Sequence, residues 1–266
     1  MTTPAIHVGD LNVKVARPAQ PSARPDVLLI HGLSGGAWQW EAYQQLFARR
    51  GYASHALDLR GHHGSRPVPD IGKVSMHDYV DDAMQVARRL DKPIVIGHSM
   101  GGLVAQKVAE AGLCRALVLV TPAPPRWIPI ASWPLLRRQV RYMPALVRHR
   151  PLLMRRADAD ALIFNRTPRD AANLFFTRLV ADSGRAGLEM SVGAVAVNES
   201  RVTAPVLVVV GLDDRFIVPR VARAVARKYR AELRTYRSFG HLIPTEPGWE
   251  GPADEIATWM DGVRLA

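Results

Sequence analysis

Apolar residues in this chain fall into short unbroken runs that alternate with stretches where they recur every third or fourth position. The runs Val27-Leu28-Leu29-Ile30, Pro93 to Gly97 and Arg115 to Val120 read as strands, and so does the more mixed segment Tyr52-Ala53-Ser54-His55-Ala56-Leu57. A run that is apolar throughout, rather than at every second residue, suits a strand buried on both faces of a parallel sheet. Between these runs the spacing turns helical. One helical segment lies near 38–50 and stops at Gly51. A second spans 77–90, with Tyr79, Val80, Ala83, Met84, Val86, Ala87 and Leu90 on its apolar side, and a third begins at 100. Ahead of them, residues 6–16 alternate around Gly9-Asp10 as a small hairpin, followed by a Pro-rich loop from Pro18 to Pro25. This alternation predicts an α/β fold: a mostly parallel central sheet with helices on both faces.

The pattern breaks at Thr121-Pro122-Ala123-Pro124-Pro125. From there to about residue 190 only helical or irregular segments are legible, punctuated by Pro129, Pro134, Pro144, Pro151 and Pro168. The sheet pattern resumes at Ala204 to Gly211, followed by a helix at 219–229, a strand at 232–236 and a last helix near 250–261. The chain therefore divides into a core over residues 1–123 and 191–266 and a helical cap inserted at 124–190.

Composition narrows the class. With 266 residues and 48% hydrophobic content, one large domain or a domain with a sizeable insertion is expected. The opening residues Met1 to His7 lack a basic start and an apolar centre, so no signal peptide is expected. No run approaches the roughly 18 apolar residues of a transmembrane segment. The single cysteine, Cys114, has no partner for an internal disulfide, which points to a cytoplasmic protein. At the start of an apolar strand, Cys114 reads as a buried thiol rather than a nucleophile. The net charge is +11, from 35 Lys plus Arg against 24 Asp plus Glu. Zinc-ligand spacing, aromatic RNA-binding signatures and basic heptads are all missing from the sequence, so no nucleic-acid partner is expected. The excess charge is attributed to a substrate or a surface instead.

The chemistry is most legible at Gly97-His98-Ser99-Met100-Gly101. A G-x-S-x-G motif between a buried strand and a helix describes a serine held on a sharp turn, its hydroxyl exposed at the end of the sheet. A serine hydroxyl needs an adjacent base and a third group to orient that base. His241, in Ser238-Phe239-Gly240-His241 just past the last strand, is the best base among nine histidines. For the acid, Gly211-Leu212-Asp213-Asp214 begins at the end of the strand read at 205–210, and loops at the carboxyl ends of parallel strands collect catalytic groups. Other histidines are set aside. His31 and His98 read as structural hydrogen-bonders. His62-His63 has no second ligand pair at metal spacing, so no metal is expected.

With these segments in the order Ser, Asp, His, the chain resembles the α/β-hydrolase family with a helical cap, over about nine-tenths of its length. The family's acid-loop pattern, Gly-x-x-Asp followed shortly by Pro, falls on Asp214, with Asp213 the neighbouring alternative. The resemblance further implies an oxyanion hole made by two backbone N–H groups, Met100 after the serine and Leu33 after His31-Gly32. The segment Asp58 to Ser65 is similar to the family's Asp-x-Arg-Gly-x-Gly-x-Ser loop, which shapes the sheet edge, but carries a second histidine. Trp38, Trp40 and Tyr43 either line the pocket or pack the first helix. The implied activity is a serine hydrolase cleaving carboxylic esters through an acyl-enzyme, without a cofactor. A triad-dependent C–C bond hydrolase, a thioesterase, a lactonase and a non-enzymatic hydrolase-like receptor share the scaffold.

The cap carries one further signal. Residues 111–157 hold nine arginines and no Asp or Glu, interleaved with apolar residues such as Trp127, Leu136 and Val140. This suits an amphipathic or anionic ester substrate, an interfacial patch facing acidic lipid, or an arginine-rich solvated face.

Overall fold

The computed structural model describes residues 4–130 and 133–263, leaving 1–3, 131–132 and 264–266 outside the described set. Strands run in chain order as β1 (Ala5–Val8), β2 (Leu11–Ala16), β3 (Val27–Ile30), β4 (Ser54–Leu57), β5 (Ile94–His98), β6 (Ala116–Val120), β7 (Pro151–Leu152), β8 (Asp182–Ser183), β9 (Val206–Gly211) and β10 (Glu232–Tyr236). Eight of them form one sheet in the order β1-β2-β4-β3-β5-β6-β9-β10. β1 and β2 pair antiparallel at one side, and every pairing from β4 to β10 is parallel.

The period of two along each strand sends alternate residues to opposite cores. Leu28, Ile30, Val95, Leu117 and Val208 face one layer of helices, while Val27, Leu29, Ile96, Val118 and Val209 face the other. The first layer holds α2 (Met76–Arg89), α3 (Met100–Glu110) and α9 (Pro219–Tyr229). The second holds α1 (Glu41–Arg49) and α10 (Glu250–Gly262), and there Trp40, Tyr43 and Phe47 are fully buried. At roughly 1.5–3 kcal/mol per buried Val, Leu, Ile or Phe, these two layers hold the sheet between them. Gly51 follows α1 with φ +83°, the left-handed conformation that ends a helix.

Between β6 and β9 the chain runs through α4 (Trp133–Gln139), α5 (Met143–Val147), α6 (Arg156–Leu162), α7 (Arg169–Thr177) and α8 (Gly184–Ser191). This stretch contains the segment we propose as a cap. It is not solely helical or irregular as expected, because β7 and β8 pair antiparallel within it. Two residues per strand, paired across some thirty positions, are too short to leave an alternating signature. The Asp58–Ser65 loop follows β4, the third strand from one side of the sheet.

Candidate active site

β5 leads directly into α3, and Ser99 is the residue between them, with φ +53° and ψ −120°. A serine rarely adopts this backbone, and holding it there costs on the order of 1–3 kcal/mol. The flanking glycines make the turn possible. A Cβ at Gly97 would sit 2.2 Å from the Gly101 carbonyl oxygen, and one at Gly101 would sit 2.4 Å from the carbonyl oxygens of Ile30 and His31.

Three buried side chains converge from three strand ends. His241 Nε2 lies 3.0 Å from Ser99 Oγ, and His241 Nδ1 lies 2.8 Å from Asp214 Oδ2. The other oxygen of Asp214 accepts from the amides of Phe216 (2.8 Å) and Ile217 (2.9 Å), which fixes the carboxylate after β9. Asp213 points elsewhere. Its carboxylate pairs with Arg166 at 2.5 Å. A neutral imidazole can donate from Nδ1 to Asp214 and accept the serine proton at Nε2.

The loop around His241 is held on both sides. Buried Glu246 accepts from Gly240 N (2.6 Å) and Leu242 N (3.0 Å). Burial raises the Glu246 carboxyl above its ordinary value, against these two donors and nearby His241, which favour the charged form. His98 donates from Nε2 to the His241 carbonyl at 2.9 Å. Burial, with His241 close by, lowers its pKa to about 3, so His98 stays a neutral hydrogen-bonder.

The loop after β3 faces the serine. Leu33 lines the cavity above Ser99, and Met100 opens α3, where the first amides of a helix have no intrahelical acceptor. The peptides flanking Leu33 are clamped. His31 donates from Nδ1 to the Gly32 carbonyl (2.8 Å) while its Nε2 accepts from Leu59 N (3.1 Å). Burial, and then the nearby His62, bring His31 to about 4 and keep it in this neutral form. On the far side, Ser34 N donates to Asp182 Oδ2 at 2.6 Å, and the Ser34 carbonyl accepts from Val180 N at 3.1 Å.

Asp182, on β8, is fully buried and also accepts from His62 Nε2 (3.0 Å), Tyr79 Oη (2.5 Å) and Ser183 N (2.6 Å). Burial alone would raise its pKa, but His62 and the Ser34 and Tyr79 donors outweigh it and bring the carboxyl to about 2. Burial alone would likewise lower His62, and Asp182 outweighs it, so the imidazole sits above its ordinary value. His62 is thus the partner of a carboxylate. Among the described residues no group of three or more His, Cys, Asp or Glu is placed to hold a metal ion.

The cavity over Ser99 has two lobes. One is lined by Leu33, Tyr142, Leu179, Phe216 and Leu242 among others. The second shares Leu33, Tyr142 and Phe216 and continues past Leu135, Leu146 and Met190 to Arg138 and Gln139. Trp40 and Tyr43 pack the core beneath the sheet, and Trp38 stacks on Phe175 at 5.5 Å. Cys114 is buried, and burial pushes its thiol up to about 12.

Asp182 and Glu246 escaped the sequence reading. Each is a lone acidic residue whose importance comes from backbone amides turned onto it: Asp182 meets Ser34 N from 148 positions away, and Glu246 meets the amides of Gly240 and Leu242 only because its own loop folds back on itself.

A family model described as the alpha/beta hydrolase family matches residues 27–258. A 2-hydroxy-6-oxononadienedioate/2-hydroxy-6-oxononatrienedioate hydrolase of Dechloromonas aromatica is 28% identical over 91% of this chain and 89% of that protein. A non-heme chloroperoxidase of Burkholderia pyrrocinia is 35% identical, and the match spans 43% of each chain. The solved structure of a soluble variant of monoglyceride lipase from Saccharomyces cerevisiae superposes with TM-score 0.77 at 16% identity, covering 98% of this chain and 94% of that one.

Proposed function

The chain belongs to the alpha/beta hydrolase family, and within it we propose that the protein is a serine hydrolase of carboxylic esters working through an acyl-enzyme. The observation that carries this reading is the hydrogen-bonded line Ser99 Oγ, His241 Nε2 and Nδ1, Asp214 Oδ2 at the floor of an apolar cavity. Ser99 Oγ attacks the acyl carbon as His241 takes its proton at Nε2. Asp214 keeps the Nδ1–H tautomer and stabilises the imidazolium. The amides of Leu33 and Met100 receive the developing oxyanion, fixed in place before reaction. His241 then hands the proton to the leaving alcohol, and a water activated by the same imidazole releases the acid.

The lining favours an ester with apolar groups on both sides of the scissile bond. Around the two lobes Arg138 is the single Lys or Arg among the described residues, and its Nε faces Asp158 at 3.4 Å. A dianion buried there would lose its hydration with little compensation. A second reading, hydrolysis of a carbon–carbon bond, draws on the Dechloromonas relative, whose name specifies a dioate substrate. One experiment separates them: steady-state kinetics of wild type and Ser99→Ala on p-nitrophenyl esters, thioesters, lactones and vinylogous diketones. Ester turnover that disappears in Ser99→Ala is expected. Turnover of the vinylogous diketone alone would replace the first reading by the second. Ester turnover retained in Ser99→Ala would overturn the nucleophile itself.

A further inference from the structure

The strongly exposed large apolar side chains among the described residues all lie between Trp127 and Val192. Four of the eight sit on one continuous helical stretch, α4 through α5, which has two distinct faces. Leu135, Arg138, Gln139, Tyr142 and Leu146 point inward and line the second lobe of the cavity. Leu136, Val140, Met143 and Val147, with the same spacing displaced by one residue, point to solvent, Val140 at 71% and Val147 at 59% exposure. Trp127, at 89% exposure, and Val192, at 68%, line one shallow surface groove. Gln139 Nε2 donates to Ser191 Oγ at 2.6 Å and so joins that groove to α4.

Arg137, Arg141 and Arg148 are exposed beside the apolar row. No acidic residue occurs from 111 to 157. The first one beyond, Asp158, is buried and already engaged by Arg138, Arg141 and Tyr142, and Asp160 pairs with Arg156. The face is therefore apolar and cationic with little counter-charge of its own.

We propose that this outward face of the α4–α5 stretch, with Trp127 and Val192, is a docking surface for an anionic lipid bilayer. An apolar row flanked by arginines matches the interfacial region of such a bilayer, where side chains enter the acyl boundary and cations meet headgroup phosphates. A contiguous exposed apolar patch of this kind marks an interaction site. A second copy of the chain fits poorly, because a two-fold contact would set this arginine row against itself. The attachment is peripheral, since among the described residues no helix is long and apolar enough to cross a membrane. The inward face of the same helices walls the cavity. On the ester-hydrolase reading above, an apolar ester dissolved in the bilayer would then lie one helix away from Ser99.

The test is co-sedimentation of the full chain with vesicles of phosphatidylglycerol and phosphatidylcholine in equal parts, and with phosphatidylcholine alone. Binding at least tenfold tighter to the anionic vesicles is expected. Each arginine near an acidic surface contributes about fivefold, so Arg137→Glu combined with Arg148→Glu weakens binding by at least tenfold. Trp127→Ser with Val140→Ser weakens it at every salt concentration. Neither pair lines the cavity over Ser99, so turnover of a short water-soluble ester stays at wild-type level and reports correct folding. Equal binding to both vesicle types, no binding, or binding indifferent to both variant pairs overturns the proposal. So does a dimer in sedimentation velocity without lipid that either pair abolishes. Ser99→Ala should bind vesicles as the wild type does, which keeps the docking surface and the hydrolase reading separately testable.

Discussion

Replacing Asp182 by Asn is the sharpest probe of how this site is held. Asp182 Oδ2 accepts from Ser34 N and His62 Nε2, and Oδ1 accepts from Tyr79 Oη and Ser183 N. An amide has one acceptor oxygen. Whichever way the substituted side chain turns, its NH2 faces a backbone N–H, and the His62 imidazole loses its counter-charge in a fully buried setting. Breaking one side of such a pair costs about 3–5 kcal/mol. The carboxyl's fall from an ordinary 3.8 to about 2 gives a similar order, roughly 2–3 kcal/mol. For a chain of this size we expect the melting temperature to drop by roughly 6–20 °C.

The pH dependence has a definite sign. Asp182, depressed in the folded state, contributes stability present above 3.8 and lost as pH falls toward about 2. His62, raised in the folded state, contributes stability fully present below 6.5 and lost as pH rises through its folded pKa. The gap between wild type and Asp182→Asn is therefore widest between about pH 4 and 6.5, and narrows on either side. Scanning calorimetry of both proteins from pH 3 to 9 measures it, with kcat on a soluble p-nitrophenyl ester as a second readout, because Ser34 adjoins the proposed oxyanion donor Leu33. A difference below about 1 kcal/mol, or one flat across that range, would show that the pair neither stabilises the fold nor anchors the loop.

Other changes should act more locally. Asp214→Asn should lower kcat by about 10⁴ because the wrong imidazole tautomer is favoured, while Asp213→Asn, which loses only the Arg166 pair, should stay within about tenfold; the reverse ranking would move the acid by one residue. Glu246→Ala leaves the amides of Gly240 and Leu242 unpaired on both sides of His241, and a resulting displacement near 1 Å should cost about 10²-fold in kcat with KM little changed; parallel losses in both parameters would point to general destabilisation. Gly97→Ala puts a methyl 2.2 Å from the Gly101 carbonyl oxygen, so the protein should lose at least about 1–3 kcal/mol of stability in urea titration along with its activity; a wild-type midpoint would mean the turn is looser than described.

Much of the fold was legible because its signals are local. The parallel strands β3, β5, β6 and β9 sit in apolar runs, β4 lies in the mixed segment Ser54-His55-Ala56-Leu57, and α9 and β10 fall at 219–229 and 232–236 as their periodicity predicts. The serine turn was legible for a similar reason, since a side chain at Gly97 or Gly101 would collide with backbone and the motif therefore writes itself into five consecutive residues. The choice of Asp214 over Asp213 came from the family's acid-loop pattern and not from residue chemistry, because adjacent residues on a turn point in different directions and only the path of the loop decides which one meets His241. The division of labour along α4 and α5 was not legible. The sequence showed arginines and apolar residues interleaved, and the fold turned one set of positions toward Ser99 and the other toward solvent.

What the chain determines by itself is the set of elements, their order and the residue types that can do the chemistry, because these depend on neighbours a few positions away. Tertiary structure alone decided which partners the buried polar groups meet. Asp182 is one acidic residue in an ordinary stretch until the fold brings Ser34, His62 and Tyr79 to it from as far as 148 positions away. A buried carboxylate must be paired to be tolerated in a low-dielectric interior, and its partners come from whichever loops the packing of the sheet and the inserted helices delivers.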